Sequence, residues 1–109
     1  MELQNVQYFI VLCEEQHFGR AAKRCGIQQP SLTNAIKRLE TDLGGTLFLR
    51  RPRVQPTMLA LALKPYFEQI LLGVQLAEQE AARQQVLQPL YQSSVPLPPV
   101  LEAAGSKIV

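Results

Sequence analysis

The chain has 109 residues, 47% of them hydrophobic and 18% charged, with a formal net charge of +2. That length suits one small domain, which buries roughly 60 to 65% of its unfolded surface, and leaves no room for a second. The absence of any run of eighteen apolar residues speaks against a membrane span, and two cysteines at neither metal nor redox spacing speak against a disulfide or zinc framework.

The charge is unevenly placed. Residues 17 to 66 hold nine bases (Arg20, Lys23, Arg24, Lys37, Arg38, Arg50, Arg51, Arg53 and Lys64) against Glu40 and Asp42, a local balance of +7, while the flanking segments are acidic. Concentration of this kind is an electrostatic footprint for a polyanion, although a solvated basic face is the commoner meaning of a charge run.

Residues 2 to 16 place Leu3, Val6, Phe9, Ile10 and Cys13 at helical spacing, with Leu12 beside them, and predict a first helix that serves as scaffold. Phe18 is expected to seal the next junction. His17 has no Cys, Asp or His at ligand spacing, so no metal or catalytic role is assigned to it. A second helix, about residues 19 to 25, carries Ala21 and Ala22, small enough for a close helix crossing, and presents Arg20, Lys23 and Arg24 outward. Gly26 stops it and Ile27 plugs the corner.

From Pro30 to Leu43 the apolar residues Leu32, Ile36, Leu39 and Leu43 fall four, three and four apart, on one helical face. The other side carries Pro30, Thr33, Asn34, Lys37, Arg38 and Thr41, a polar and cationic surface that suits a DNA groove. Proline in the first turn costs no hydrogen bond, whereas Gln28 is a poor N-cap. Gly44 and Gly45 break the helix. Leu47-Phe48-Leu49 reads as a short strand, Arg50-Arg51-Pro52-Arg53 as a basic tip and Val54-Gln55 as the returning strand of a wing.

Thr57 is the expected N-cap of a fourth helix reaching about Leu87, offset or kinked at Pro65. Beyond it Phe67, Ile70, Leu71 and Val74, with Ala77 or Ala81, form a stripe wider than one small domain covers. With the core assigned to the first three helices, this stripe is read as an interface for a partner helix. After Gln88, Pro89, Pro96, Pro98, Pro99, Ser93, Ser94 and Gly105 predict a flexible tail.

In sequence, Ala21-Ala22 before Gly26-Ile27, Gln29-Pro30-Ser31-Leu32-Thr33, Arg38-Leu39-Glu40, Asp42-Leu43-Gly44, Leu47-Phe48-Leu49-Arg50-Arg51 and Pro56-Thr57 resemble the winged helix-turn-helix of LysR-type transcriptional regulators, over roughly fifty residues. The chain departs from that pattern at Gln28, where serine is frequent, at Pro56, and at Leu59-Ala60 after the threonine. The resemblance implies a mainly α fold, with a winged helix-turn-helix at 1–57, a linker and dimerisation helix at 58–88 and a Pro-rich tail at 89–109. It also implies an antiparallel homodimer through the linker helix. The two-lobed effector-binding domain of such regulators finds no room in this chain, so no small-molecule effector site is expected.

The expected partner is double-stranded DNA, with the helix from Pro30 in the major groove. There Gln29 is a candidate for bidentate pairing to adenine, Lys37 or Arg38 for guanine or phosphate, Thr33 and Asn34 for base edges and Ser31 for a phosphate. Arg20 would meet the DNA backbone, and Arg50, Arg51 and Arg53 the backbone or minor groove from the wing. No cofactor, metal or membrane contact is expected, no catalytic set is present, and the cytoplasm is the expected location. The competing reading, from a different class, is a protein-interaction module whose helix 58–88 pairs with a full-length relative and titrates it.

Overall fold

The computed structural model describes residues 1–91, with residues 88 to 91 described by their backbone alone; the expected tail beyond them lies outside the described residues. The element order is α1 (Leu3–Glu15), α2 (Phe18–Cys25), α3 (Gln29–Leu43), β1 (Phe48–Leu49), β2 (Gln55–Pro56) and α4 (Met58–Tyr91). The fold is therefore mainly helical, with a two-stranded antiparallel wing between α3 and the long α4.

Each of the first three helices ends on a left-handed residue. Gly26 (φ 70°) and Gly44 (φ 74°) take that conformation without a Cβ penalty, and their N–H groups donate to the last carbonyls of α2 and α3. At the end of α1 the same job falls to Gln16, at φ 51°, whose N–H donates to the Leu12 carbonyl. The start of α3 bears out the weak-cap expectation: Gln28 makes no side-chain cap bond, and the helix begins one residue early, at Gln29. Thr57 caps α4 as expected, its Oγ1 accepting from the Ala60 N–H at 3.2 Å.

The core is built from Val6, Phe9, Leu12, Cys13, Phe18, Ala21, Ala22, Leu32, Ile36, Leu39, Leu47 and Phe48, and it continues into α4 through Ala60 and Phe67. Phe9 lies at its centre, with the Phe48 ring 5.6 Å away and the Phe67 ring edge-on at 5.2 Å. Leu3 does not join it, being 49% exposed. At about 100° per residue it sits roughly 120° round from Phe9, outside the arc that the other core positions of α1 define. Asn5 takes the buried place instead.

Three expectations change here. The core is not complete with three helices, because Ala60 and Phe67 are buried in it and Leu63 and Leu71 pack partly against it. Phe67 is thus 4% exposed in its own domain, rather than part of an open stripe with Ile70, which is 43% exposed; Leu71 and Val74 are half-buried. α4 runs past its expected end near Leu87, through Pro89 to Tyr91, and remains one helix across Pro65. Finally, the strands pair Phe48 with Pro56 and Leu49 with Gln55, so the second strand begins one residue later than expected. Pro56 has no N–H to give, and the ladder stops at two residues.

The chain divides into two units, the first comprising Met1–Gln75 and the second starting at Leu76. All elements of the wing and the helix-turn-helix, with the first half of α4, belong to the first unit.

Candidate nucleic-acid interface

The two faces of α3 separate cleanly. Leu32, Ala35, Ile36 and Leu39 are buried, while Gln29, Pro30, Ser31, Asn34, Lys37, Arg38 and Thr41 are exposed and Thr33 is half-buried. Asn34, Lys37, Arg38, Thr41 and Asp42 line an open depression of about 380 Å³. Thr41 spends its hydroxyl on the Lys37 carbonyl at 3.0 Å, so its donor is committed within the helix. The amides, hydroxyls and cations of the remaining residues stand on one solvent-facing surface.

The wing is tied to this helix by a carboxylate. Glu40 Oε2 accepts from the Leu47 N–H at 2.7 Å and from the Phe48 N–H at 3.5 Å, where the chain enters β1. Leu47 is fully buried, and a buried N–H left without a partner would cost about 1 to 3 kcal/mol. At the other root of the wing, the Thr57 hydroxyl donates to the Thr46 carbonyl at 2.7 Å, and the Thr57 N–H donates to the Leu47 carbonyl. Arg50 is held from a third side: its guanidinium carbon stands 4.3 Å over the ring of Phe18, at the start of α2. An exposed cation over an aromatic face contributes about 0.5 to 1 kcal/mol. Arg51 and Arg53 are exposed at the wing tip.

The basic residues of α2 are less available than their exposure in the sequence pattern implied. Arg20 Nε donates to Glu15 at 3.2 Å and its guanidinium also reaches the Glu15 carbonyl at 3.1 Å. Arg24 bridges Glu14 at 2.8 Å and Glu15 at 3.0 Å, and these two carboxylates hold its guanidinium above its ordinary pKa. The +7 segment is therefore partly balanced by acids of α1. Lys23 lies between them in sequence and is exposed.

Sequence reasoning missed Glu40, the Arg50–Phe18 pair and the cap on α2. That cap is His17, whose Nδ1 accepts the Arg20 N–H at 3.0 Å, a structural use for the residue left without a role. A signal for Glu40 existed: it follows Ile36 by four residues and adjoins Leu39, which puts a carboxylate at the margin of the apolar face. Of the cysteines, Cys13 is buried as expected and Cys25 only partly. Burial raises both thiols, Cys13 from 9.0 to about 11, so neither is poised as a nucleophile. Among the described residues no group of acids, histidines or cysteines is placed to hold a metal ion, and no helix is long and apolar enough to cross a membrane.

Known proteins are similar to this chain in sequence and in fold. Residues 3–60 match the family of bacterial regulatory helix-turn-helix proteins of the lysR type. The chain is 39% identical over 92 residues to the HTH-type transcriptional regulator AlsR of Bacillus subtilis, covering 80% of this chain and 30% of AlsR. It is 51% identical over 53 residues to the HTH-type transcriptional regulator BudR of Klebsiella aerogenes, covering 49% of this chain and 37% of BudR. The chain thus spans about a third of the length of these curated relatives. Among solved structures, a complex of the BenM DBD with benA site 1 DNA superposes with a TM-score of 0.72 at 34% identity, over 76% of this chain and 98% of that one. Full-length OxyR from Pseudomonas aeruginosa gives 0.73 at 34% identity, over 76% and 28%. Nothing among these relatives favours the pairing-and-titration reading. With the family matched across α1 to the start of α4 and the helix-turn-helix and wing in place, the chain belongs to the lysR family of bacterial regulatory helix-turn-helix proteins.

Proposed function

We propose that this chain is a sequence-specific module for double-stranded DNA in a bacterial transcriptional regulator. The observation that carries the reading is the division of α3 into a buried apolar face and an exposed face of Gln29, Ser31, Asn34, Lys37 and Arg38, with Arg51 and Arg53 exposed on the adjoining wing. Amide and guanidinium groups on a major-groove helix supply the bidentate donors and acceptors that distinguish adenine and guanine. Cations at the wing supply sequence-independent attraction to phosphates. The likeness to a BenM DBD structure solved with DNA supports the same assignment.

In the mechanism, α3 enters the major groove with Gln29 on an adenine, Lys37 or Arg38 on a guanine or phosphate, Thr33 and Asn34 on base edges, and Ser31 on a phosphate. Arg51 and Arg53 lie over the backbone or the minor groove. A second copy joins through α4, where Ile70 of the expected stripe is exposed and Leu71 and Val74 are half-buried, and where Leu61 and Leu72, on the opposite side of the helix, are exposed apolar side chains in the first unit and Leu76 and Val86 in the second. Exposed apolar surface repeated along one helix is what a partner helix covers. Two copies then read two half-sites, and the complex works in the cytoplasm without an enzymatic step of its own.

The test is a fluorescence anisotropy titration at several salt concentrations, after site selection with the purified protein. If about six phosphates are neutralised, log K falls against log salt with a slope near −5. Gln29→Ala should keep the melting temperature while relaxing discrimination at one base pair by about 1 to 3 kcal/mol. A slope near zero, or an unchanged selected sequence in Gln29→Ala, refutes the respective part of the assignment.

A further inference from the structure

The wing is too short to hold its own position. Its ladder is two residues long, and one of the four paired residues is Pro56, which donates nothing. An isolated hairpin of that size is not stable in water, so its orientation must come from anchors outside it. Two are present. Glu40 reaches from α3 to the amides of Leu47 and Phe48 at the entry to β1, and Leu47 is fully buried, so its N–H has no solvent alternative. Arg50 leaves the end of β1 and lies over the ring of Phe18, the first residue of α2 and itself buried. The helix that bears the recognition face therefore also bears the acid that fixes where the wing starts. This accounts for a carboxylate in a segment otherwise dominated by cations: it is spent on backbone donors.

We propose that Glu40 and Arg50 are wing-positioning residues. Glu40 sets the root of the wing and Arg50 docks the end of β1 on α2, so that, of the three wing arginines, only Arg51 and Arg53 meet DNA phosphates, at a fixed distance from α3. The part concerning phosphates rests on the DNA-binding reading; the anchoring itself does not. Arg50 acts through Phe18 and makes no DNA contact of its own.

The test has an arm without DNA and an arm with it. Amide hydrogen exchange followed by NMR on the free protein should show that Glu40→Ala lowers protection of the Leu47 N–H at least tenfold. The amides of Phe9 and Leu39 should keep theirs, and Glu40→Gln, which retains one acceptor oxygen, should restore part of the loss at Leu47. Unchanged protection at Leu47 in Glu40→Ala overturns the anchor. With DNA, Glu40→Ala should make the salt slope shallower by about 1.8, the share of two phosphates, and should add no further loss once Arg51 and Arg53 are both alanine. A full slope in Glu40→Ala refutes the positioning of the wing arginines.

For Arg50, the informative change is Arg50→Met, which leaves a polarisable chain on the Phe18 ring and removes the charge. The salt slope should be unchanged in Arg50→Met but shallower by about 1.8 in Arg50→Ala, which also removes the contact with Phe18. A loss of about 0.9 in Arg50→Met would assign Arg50 to a phosphate, and a full slope in Arg50→Ala would leave it no positioning role, either result overturning the proposal. Should the unaltered protein show no salt-dependent DNA binding at all, the DNA reading falls, and the exchange of the Leu47 amide still decides the role of Glu40.

Discussion

Phe67→Ala separates two uses of an apolar residue on α4. As part of a stripe for a partner helix, its loss would weaken association and leave the domain folded. The structure instead puts Phe67 at 4% exposure, edge-on to Phe9 at 5.2 Å with the ring planes 88° apart. Truncating a buried phenylalanine costs about 3 to 5 kcal/mol, of which about 0.5 to 1.5 is the aromatic pairing lost with Phe9. A small domain has about 5 to 15 kcal/mol in total, so this is a large share of its stability. Urea unfolding followed by circular dichroism, at two protein concentrations tenfold apart, should show that loss at both. The matched change Ile70→Ala, at a side chain 43% exposed, should cost within about 0.5 kcal/mol in the protomer. If Phe67→Ala keeps the unfolding midpoint and only shifts sedimentation to a lighter species, Phe67 belongs to an interface and the core stops short of α4.

Two further outcomes follow from local geometry. Gln16→Gly should stabilise the domain by about 1 kcal/mol in a thermal or urea melt, because Gln16 holds φ 51° at the end of α1 and a left-handed residue with a Cβ costs about 1 to 2 kcal/mol; a destabilised variant would mean that the Gln16 side chain contributes more than its backbone costs. Burial pushes the Cys13 thiol from 9.0 up to about 11, so the folded state keeps its proton longer than the unfolded chain does. This contribution to stability is complete below pH 9 and is lost as pH rises toward 11. Cys13→Ala should therefore lose less stability between pH 8 and pH 10.5 than the unaltered protein, as read from urea midpoints, and equal declines would refute the assignment.

Most of the helical framework was legible because its signals are local and agree with one another. In α3 the spacing of Leu32, Ile36 and Leu39, the proline in the first turn and the glycine at Gly44 all specify the same helix, and the structure places each as expected. At α4 the local signals conflict with the outcome. Pro89 argues for a stop near Leu87, and a count of apolar residues in the first three helices suggests a closed core. The helix instead runs on to Tyr91, and the core is not closed, because the start of α4 brings Ala60 and Phe67 into it. Sequence spacing identifies which α4 residues share a face, but not how far along the helix the domain's own core extends.

The candidate site was legible in its exposed parts and not in its supports, for a physical reason. Whether a cation is free to meet a phosphate depends on which acid lies beside it in space, and that acid can come from another element. Arg20 and Arg24 look outward in the helical pattern of α2, yet Glu14 and Glu15 at the end of α1 already engage both. The sequence separations are five to ten residues, across a helix boundary, where no i,i+4 rule applies. A phosphate that takes either arginine must displace a carboxylate or share the guanidinium with it. Exposed ion pairs are individually weak, about 0 to 1 kcal/mol, so the exchange is possible but its gain is reduced. The electrostatic footprint of residues 17 to 66 is therefore smaller in the folded protein than its count of charges, and its exposed bases that pair with no acid among the described residues include Lys23 of α2, Lys37 and Arg38 of α3 and Arg51 and Arg53 of the wing.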